Sequence, residues 1–599
     1  MTPSVASPRA LVAHFRTFAR LARAQFLLLP PLMLVAGLFE GIGIVLFLPV
    51  LERLAAGTGA STPPLFGMAL TALHLTTLPA LLGAIAALFL AKFAVTLFQQ
   101  LLIQRITRDL YRSLARRLIH GWTTSEYREF YLQATTGTLT NVLTRELWTF
   151  LGAFSYFCQL LVQAAYIGIY LGGSLLLDPR ITSVAVAFGG VAILGLRRWM
   201  GVAGAHSLRF TAANVQFQDR LIEFLQHFKY LKATARFPTV ERRLHETIEE
   251  MTAHQYRMGV IGAAMAAVPE PVAMLLLIAF LYGSVIVLGN AFAATAVLAL
   301  LLYRMLMRIL VLQTSWQKFV GCSGSLHAVS AAVVAAEAHP ETRGTTAGAT
   351  LTHAIVFDGV HFSYPAPSGG AVARAVLADV SLRIPARTTV AIVGPSGGGK
   401  STIVDLLTGV LRPTAGRITV DGHDVCSMHR DALRATIGYV AQEIPMFNDT
   451  IAHNVDWWSH ANDSEVRRRC AEASCDFIAQ LPEQFATCVG ERGIALSMGQ
   501  RQRIAIAREL FRDPELLIFD EATSALDSAS EEVIRQHIER LAGKRTIVLV
   551  AHRLSTIRHA DYLYVIDGGR VAEEGTYDAL IANPASAFAR MCALQTLST

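Results

Sequence analysis

The chain has 599 residues, of which 53% are hydrophobic and only 16% charged, with a formal net charge of +7. So low a charged fraction excludes an ordinary soluble protein, where charged residues reach roughly a quarter. The basic residues flank apolar stretches, which is the positive-inside pattern and speaks against a nucleic-acid groove, so no nucleic-acid partner is expected.

The apolar excess dominates to about residue 330 and then gives way to a mixed composition, so a membrane portion precedes a soluble one. The seven cysteines form no CxxC pair and no regular framework, and most lie in the soluble half, as reduced cytosolic thiols would. No cleavable signal peptide is read at the start. Leu11, Val12, Phe15, Phe18 and Leu21 recur at helical spacing between Arg16, Arg20 and Arg23, which predicts an amphipathic interfacial helix over 1–25.

A transmembrane domain is expected over 26–335. Stretches long enough to span a bilayer run through 26–50, 78–103, 150–176, 182–203, 258–288 and 292–315. Residues 54–77 and the Gly289-Asn290-Ala291 connection carry no Lys or Arg. Arg105, Arg108, Arg112, Arg116, Arg117 and Arg128 follow the second span, and Arg197, Arg198, Lys229, Lys232, Arg236, Arg242 and Arg243 follow the fourth. The loop bias therefore predicts about six spans with both termini and the soluble half in the cytoplasm. The excursions 104–149 and 204–257 hold polar, aromatic-bearing stretches, Trp122 to Tyr131 and Gln216 to Phe228, long enough to act as levers on the soluble domain.

Ionisable residues inside spans are costly and face a cavity or a partner. Glu40 lies in the first span, Glu270 between Pro269 and Pro271 in the fifth, and Arg304 and Arg308 in the sixth. The proline pair should break its helix. Two readings stand side by side: a cavity where Arg304, with Glu40, Glu270 and Arg308, meets an anionic or zwitterionic substrate, or a structural Glu–Arg pair or snorkelling of Arg308 to the interface.

A Gly- and Thr-rich linker is read at 336–350, and an α/β domain at 351–599. The apolar run Thr388 to Val393 reads as a buried strand leading into Gly394, Pro395, Ser396, Gly397, Gly398, Gly399, Lys400, Ser401 and Thr402, then an apolar-periodic helix. This is the phosphate loop G-x-x-x-x-G-K-[ST] in its strand–loop–helix setting. Its glycines let backbone N–H groups approach phosphate oxygens, Lys400 neutralises the β- and γ-phosphates of ATP, and Ser401 offers its hydroxyl to Mg²⁺. The apolar run Leu516 to Phe519 ends in Asp520-Glu521. Asp520 would hold Mg²⁺, and Glu521 would orient or deprotonate the attacking water. His552 follows the run Thr546 to Ala551 and would contact the γ-phosphate.

With these in hand the chain resembles the ABC transporters, carried by Leu496-Ser497-Met498-Gly499-Gln500-Arg501-Gln502-Arg503, which resembles their signature motif. The resemblance implies that Tyr364 stacks on adenine, that Gln442 is the Q-loop residue near Mg²⁺ and the reacting water, and that Asp527 in Ser524-Ala525-Leu526-Asp527 is the D-loop aspartate. It likewise implies that Ser497, Gly499 and Gln500 contact nucleotide, that His552 is the switch histidine, and that Gly490-Glu491-Arg492-Gly493 senses the membrane domain. The ordered motifs cover about 240 residues and are far more specific than any one of them.

The resemblance extends over nearly the whole chain, which looks like an exporter-type half-transporter: a polytopic α-helical membrane domain fused to an α/β P-loop ATPase. It implies a second half-transporter subunit, because the signature of one subunit closes over ATP held by the other, and Glu521, His552 and Gln442 favour a homodimer with two working sites. One departure is Met498, where the family pattern has Gly; a positive φ there would be strained for Met.

Short stretches, Phe39-Glu40 with Pro49-Val50, Ala267-Val268-Pro269 and Leu302-Tyr303-Arg304-Met305, resemble the branch of lipid-linked oligosaccharide flippases and antibacterial-peptide exporters. ATP-driven export or flipping of an amphipathic substrate in a bacterial inner membrane is therefore expected. A siderophore-type importer on the exporter fold and an ATP-gated channel are the alternatives.

Overall fold

The computed structural model describes residues 18, 25–55, 77–128, 136–183, 186, 206, 209–210, 212–214, 216–287, 289, 291–341, 344, 350–364, 374–459, 462–521, 528–551 and 557–596. The chain divides into two compact units, Met1–Arg117 with Thr140–Ala332, and Leu118–Leu139 with Val333–Thr599.

The first unit is helical. Among the described residues, four helices are long and apolar enough to cross a membrane: Gln25–Arg53, Leu78–Thr124, Gly137–Leu177 and Phe292–Gly321. They contain α1 (Leu29–Val45), α2 (Phe47–Ala55), α3 (Leu78–Thr124) and α4 (Leu147–Leu177). Later come α5 (Phe237–Ala267), α6 (Pro269–Tyr282), α7 (Phe292–Gly321) and α8 (Ser323–Ala338). Nearly all of the predicted span 182–203 and of the predicted helix 1–25 lies outside the described residues. Within that stretch Phe18 is described, buried edge-on against Phe150 and Phe154.

The break expected at the proline pair is one residue long. α5 ends at Ala267 and α6 begins at Pro269, while Val268 between them keeps helical angles (φ −69°, ψ −37°) and donates its N–H to Ala264 O. Prolines in a first helical turn remove only N–H groups that have no partner within their own helix, so the backbone bends there without losing its course.

α4 is the hub of this unit, packed along both α1 and α7. Its approach to α1 is close because Gly37 and Gly41 stand where any Cβ would collide with the Ile169 side chain. Ala36, Ile44, Tyr166, Tyr170, Val297 and Leu301 form the buried seam.

The second unit is built on two sheets. β1 (Ala354–Tyr364), β2 (Arg374–Pro385), β4 (Ala415–Val420) and β5 (His423–Asp424) form an antiparallel sheet in the order β2-β1-β4-β5. The other sheet runs β10-β9-β3-β8-β7-β6. Its strands are β3 (Thr389–Val393), β6 (Ile437–Val440), β7 (Leu516–Asp520), β8 (Thr546–Val550), β9 (Tyr562–Asp567) and β10 (Arg570–Gly575). All but β10 run parallel. β3, β7 and β8 are buried along their whole length, as strands covered on both faces require.

β8 pairs with β3 on one side and β7 on the other, so the chain segments leaving β3, β7 and β8 emerge side by side at one edge. Those segments are the phosphate loop, Glu521 and the stretch leading to His552. Open parallel sheets bind ligands at this carboxyl edge.

The segment 118–128 groups with this unit. Ser125 pairs with Pro340 in an isolated bridge, the Ser125 hydroxyl donates to Ala336 O at 2.9 Å, and Glu126 forms an ion pair with Arg412 at 3.2 Å.

Candidate nucleotide site and a charged cluster among the membrane helices

β3 delivers the chain into a loop with positive φ at Gly394 (150°), Gly397 (80°) and Gly399 (105°). These angles suit glycine and turn backbone N–H groups toward one point. The loop feeds helix α9 (Lys400–Leu407), so the helix N-terminus faces the same point. Lys400 is 5% exposed, and its ammonium donates to Gly394 O at 2.9 Å and Pro395 O at 3.0 Å. Burial pushes the Lys400 ammonium down, opposed by the charges of Glu521 and Asp520. Ser401 is exposed and Thr402 buried; the Thr402 hydroxyl lies 3.5 Å from the Tyr364 hydroxyl. Tyr364 ends β1 with its ring edge-on to Phe362.

Asp520, the last residue of β7, is 7% exposed and accepts from the Tyr439 hydroxyl at 3.1 Å. Burial, then the Asp520 charge, raises Tyr439 above its ordinary range, so it stays a neutral donor. Glu521 adopts a left-handed backbone (φ 49°) and donates its N–H to Val550 O at 2.8 Å. A non-glycine residue in that region is held against a local cost, a feature that concentrates at functional sites. Gln442 donates its amide to Glu521 Oε2 at 2.6 Å. The structure thus brings Gln442, Lys400, Asp520 and Glu521 together. Asp527 and His552 lie outside the described residues.

Ser497 caps α10 (Met498–Phe511). Its hydroxyl accepts from Gln500 N, and the Gln500 side chain accepts from Ser497 N, which is a reciprocal capping box. Met498 is the first helical residue and is absent from the positive-φ positions among the described residues, so the strain considered for it does not arise. Gly499 is buried behind it.

Sequence reasoning missed Arg508. Its side chain is 2% exposed and donates to Asn454 O, Pro445 O and Asn454 Oδ1 at 2.6, 2.7 and 3.0 Å. It also lies 5.2 Å from the Trp457 ring centroid, tying α10 to the stretch after Gln442. No local signal marks it, because every partner is more than 50 residues away.

Among the membrane helices the candidates separate. Glu40 is fully buried and gathers three cations: Lys92 at 2.8 Å, Arg308 at 3.3 Å and Arg304 at 3.6 Å. Arg308 also donates to Gln163 and covers the Tyr166 ring at 4.2 Å. Glu270 is exposed in the first turn of α6, and among the described residues no ion pair joins it to either arginine. Lys92 escaped the sequence reading, although a lone lysine inside the apolar run 78–103 was the available signal.

Residues 377–524 match the family described as ABC transporter. The chain spans about a third of the length of several curated relatives. It is 42% identical over 240 residues to the mouse mitochondrial ATP-binding cassette sub-family B member 10, covering 39% of this chain and 33% of that protein. It is 49% identical over 211 residues to the ATP-dependent lipid A-core flippase of Methylococcus capsulatus, covering 35% of each. Over 590 residues it is 28% identical to the heterocyst differentiation ATP-binding protein HepA of Nostoc, covering 95% of this chain and 93% of that protein. The solved structure of a bacterial Atm1-family ABC exporter with ATP bound matches with a TM-score of 0.74 and 26% identity, covering 94% of this chain and 97% of that one.

Proposed function

We propose that this chain, whose C-terminal part is an ABC transporter ATPase domain and whose overall fold is that of an ABC exporter, is an ATP-driven translocase. It exports or flips an amphipathic substrate across a bilayer by alternating access. The observation that carries this reading is the joining of a buried Lys400, the Asp520–Glu521 pair and Gln442 at one sheet edge, in a chain that also carries bilayer-length helices.

The residues present fit ATP and Mg²⁺: a nest of glycine amides, a loop-held ammonium and an exposed Ser401 hydroxyl in the phosphate loop, and the Asp520 carboxylate at the end of β7. When bound, the metal supplies charge neutralisation at the phosphates. Lys400 would trade its two carbonyl partners for phosphate oxygens. Glu521, aimed by the Gln442 amide, would take the proton of the attacking water. Tyr364 would stack on the base.

A second copy of this chain is the proposed partner, presenting the capped N-terminus of α10 to the nucleotide. Closing two such sites must favour the dimerised state by about 5.5 kcal/mol to move a 1:99 equilibrium to 99:1. Supporting the homodimer are a working set of Glu521 and Gln442 in one chain and the helical, unstrained Met498. The loop charges favour cytoplasmic termini, and a bacterial inner membrane is the proposed location.

In proteoliposomes, wild-type protein should translocate a labelled amphiphile only with ATP. Glu521→Gln should bind ATP while hydrolysing it at least about 100-fold more slowly. Undiminished turnover in that variant, or a protein that stays monomeric with nucleotide and magnesium, removes this reading.

A further inference from the structure

We propose that His206 and His254 form a two-imidazole site for a transition-metal dication of the Zn²⁺, Cu²⁺ or Ni²⁺ class, pinning one end of the helical excursion 204–257. The site goes beyond the translocase reading and does not depend on it.

The excursion pairs two helical stretches antiparallel. α5 carries Phe237, Arg243, Thr247 and His254 in rising order, and their partners fall in number along the same path. Phe237 meets the rings of Phe228 and Phe224 at 5.1 and 5.6 Å. Arg220 donates to Arg243 O at 3.3 Å and to the Thr247 hydroxyl, and His254 faces His206. Of residues 237–254 only Thr247 is buried, so the pairing rests on a few cross-links rather than on a core. At 1.5 Å per residue the imidazole contact lies about 26 Å along α5 from Phe237.

The two Nδ1 atoms stand 3.1 Å apart, with ring centroids 5.3 Å apart and planes at 42°. With metal–nitrogen bonds of about 2.0–2.1 Å, two nitrogens on one ion are about 3.3–3.4 Å apart in tetrahedral geometry and about 2.9 Å apart in square-planar geometry. The observed separation falls between these values. The ion would sit about 1.2–1.5 Å off the line joining the nitrogens, a place that a turn of each half-buried ring reaches.

Partial burial, then the neighbouring His254, Arg257 and Arg209, lowers His206 below the ordinary imidazole range. The ring is thereby kept in the neutral form whose nitrogen lone pair binds metal. Nitrogen donors beside two guanidiniums are poor company for Mg²⁺ or Ca²⁺, which take oxygen ligands, and imidazole suits Zn²⁺, Cu²⁺ and Ni²⁺. Among the described residues no group of three or more His, Cys, Asp and Glu is placed to hold a metal ion, so water fills the other positions. A hydrogen bond between the rings uses the same approach but leaves no metal affinity to lose.

The test uses the full chain in nanodiscs, made without a histidine tag, stripped with chelator and kept free of nucleotide. Zn²⁺ titrated by calorimetry should fill one site per chain that His206→Gln and His254→Gln each weaken at least about tenfold, since losing an outer-shell partner alone costs about 10- to 100-fold. The double variant should lose no more than either single one. His245→Gln, on the same helix but away from the pair, should bind as wild type does. With Cu²⁺ as probe, paramagnetic resonance should count two imidazole nitrogens in wild type and one in either variant. Zn²⁺ should also slow amide exchange around residues 206 and 254 in wild type alone. Should the variants not fold, the Cu²⁺ spectrum of wild type decides: two imidazoles together with slowed exchange at both histidines support the site. Equal Zn²⁺ affinity in wild type and the double variant, or a Cu²⁺ spectrum with fewer than two imidazoles, overturns the proposal.

Discussion

The Gln442 amide holds the Glu521 carboxylate at 2.6 Å across 79 residues of sequence. One oxygen of the proposed base is thereby fixed while the backbone beneath it sits in the left-handed region. A carboxylate positioned this way is aimed before any water arrives.

Replacing Gln442 with Ala should therefore slow ATP hydrolysis about 10- to 100-fold while the dissociation constant for ATP without magnesium changes less than about threefold. Turnover and nucleotide titration on the same preparation separate the two. A parallel loss in both would mean that Gln442 serves binding and not the aim of Glu521.

Arg508 is predicted to be a stability residue. Arg508→Met removes the donors of three hydrogen bonds and leaves the carbonyl of the buried Asn454 without its partner. The expected loss is about 2–4 kcal/mol, with faster amide exchange over 445–457. Unchanged melting and exchange would show that the pocket collapses around methionine at no cost.

Met498→Gly tests whether the family glycine is needed. Because Met498 begins a helix with ordinary angles, glycine should lower stability by roughly 0.5–1 kcal/mol and leave ATP turnover within about twofold. A severalfold rise in turnover would show that the methionine side chain obstructs the nucleotide.

Asp421 predicts an acid-side effect. It accepts hydrogen bonds from Thr352 N, the Thr352 hydroxyl, His353 N and Ala354 N. Against the opposing pull of partial burial, these bonds bring its carboxyl down to about 2. A carboxylate whose folded value is depressed contributes stability that is present above its unfolded value near 3.9 and is lost as pH falls toward 2. Thermal melting of wild type should drop through that window more steeply than that of Asp421→Asn, with the two curves converging at pH 2. Parallel curves would show that the four donors stabilise the neutral carboxyl equally well.

The candidate nucleotide site was legible in the sequence where its chemistry is contiguous. A loop from Gly394 to Thr402 carries its own glycines, lysine and hydroxyls, and the strand before it supplies the direction, so spacing alone specifies the geometry. The same holds for Asp520-Glu521 at the end of an apolar run. The membrane half was legible as apolar lengths, which are also a local property.

Pairing between distant residues was decided only by the tertiary structure. From the sequence, Glu270 and Glu40 were equal candidates to face Arg304, and nothing local could separate them. Packing α4 against both α1 and α7 carries Glu40 to Arg308 across 268 residues and recruits Lys92, while Glu270 stays exposed. Helix periodicity states which face is apolar but not which neighbour it meets. Glycines at 37 and 41 that admit Ile169 settle that approach through shape, and shape is a property of the folded pair rather than of either segment.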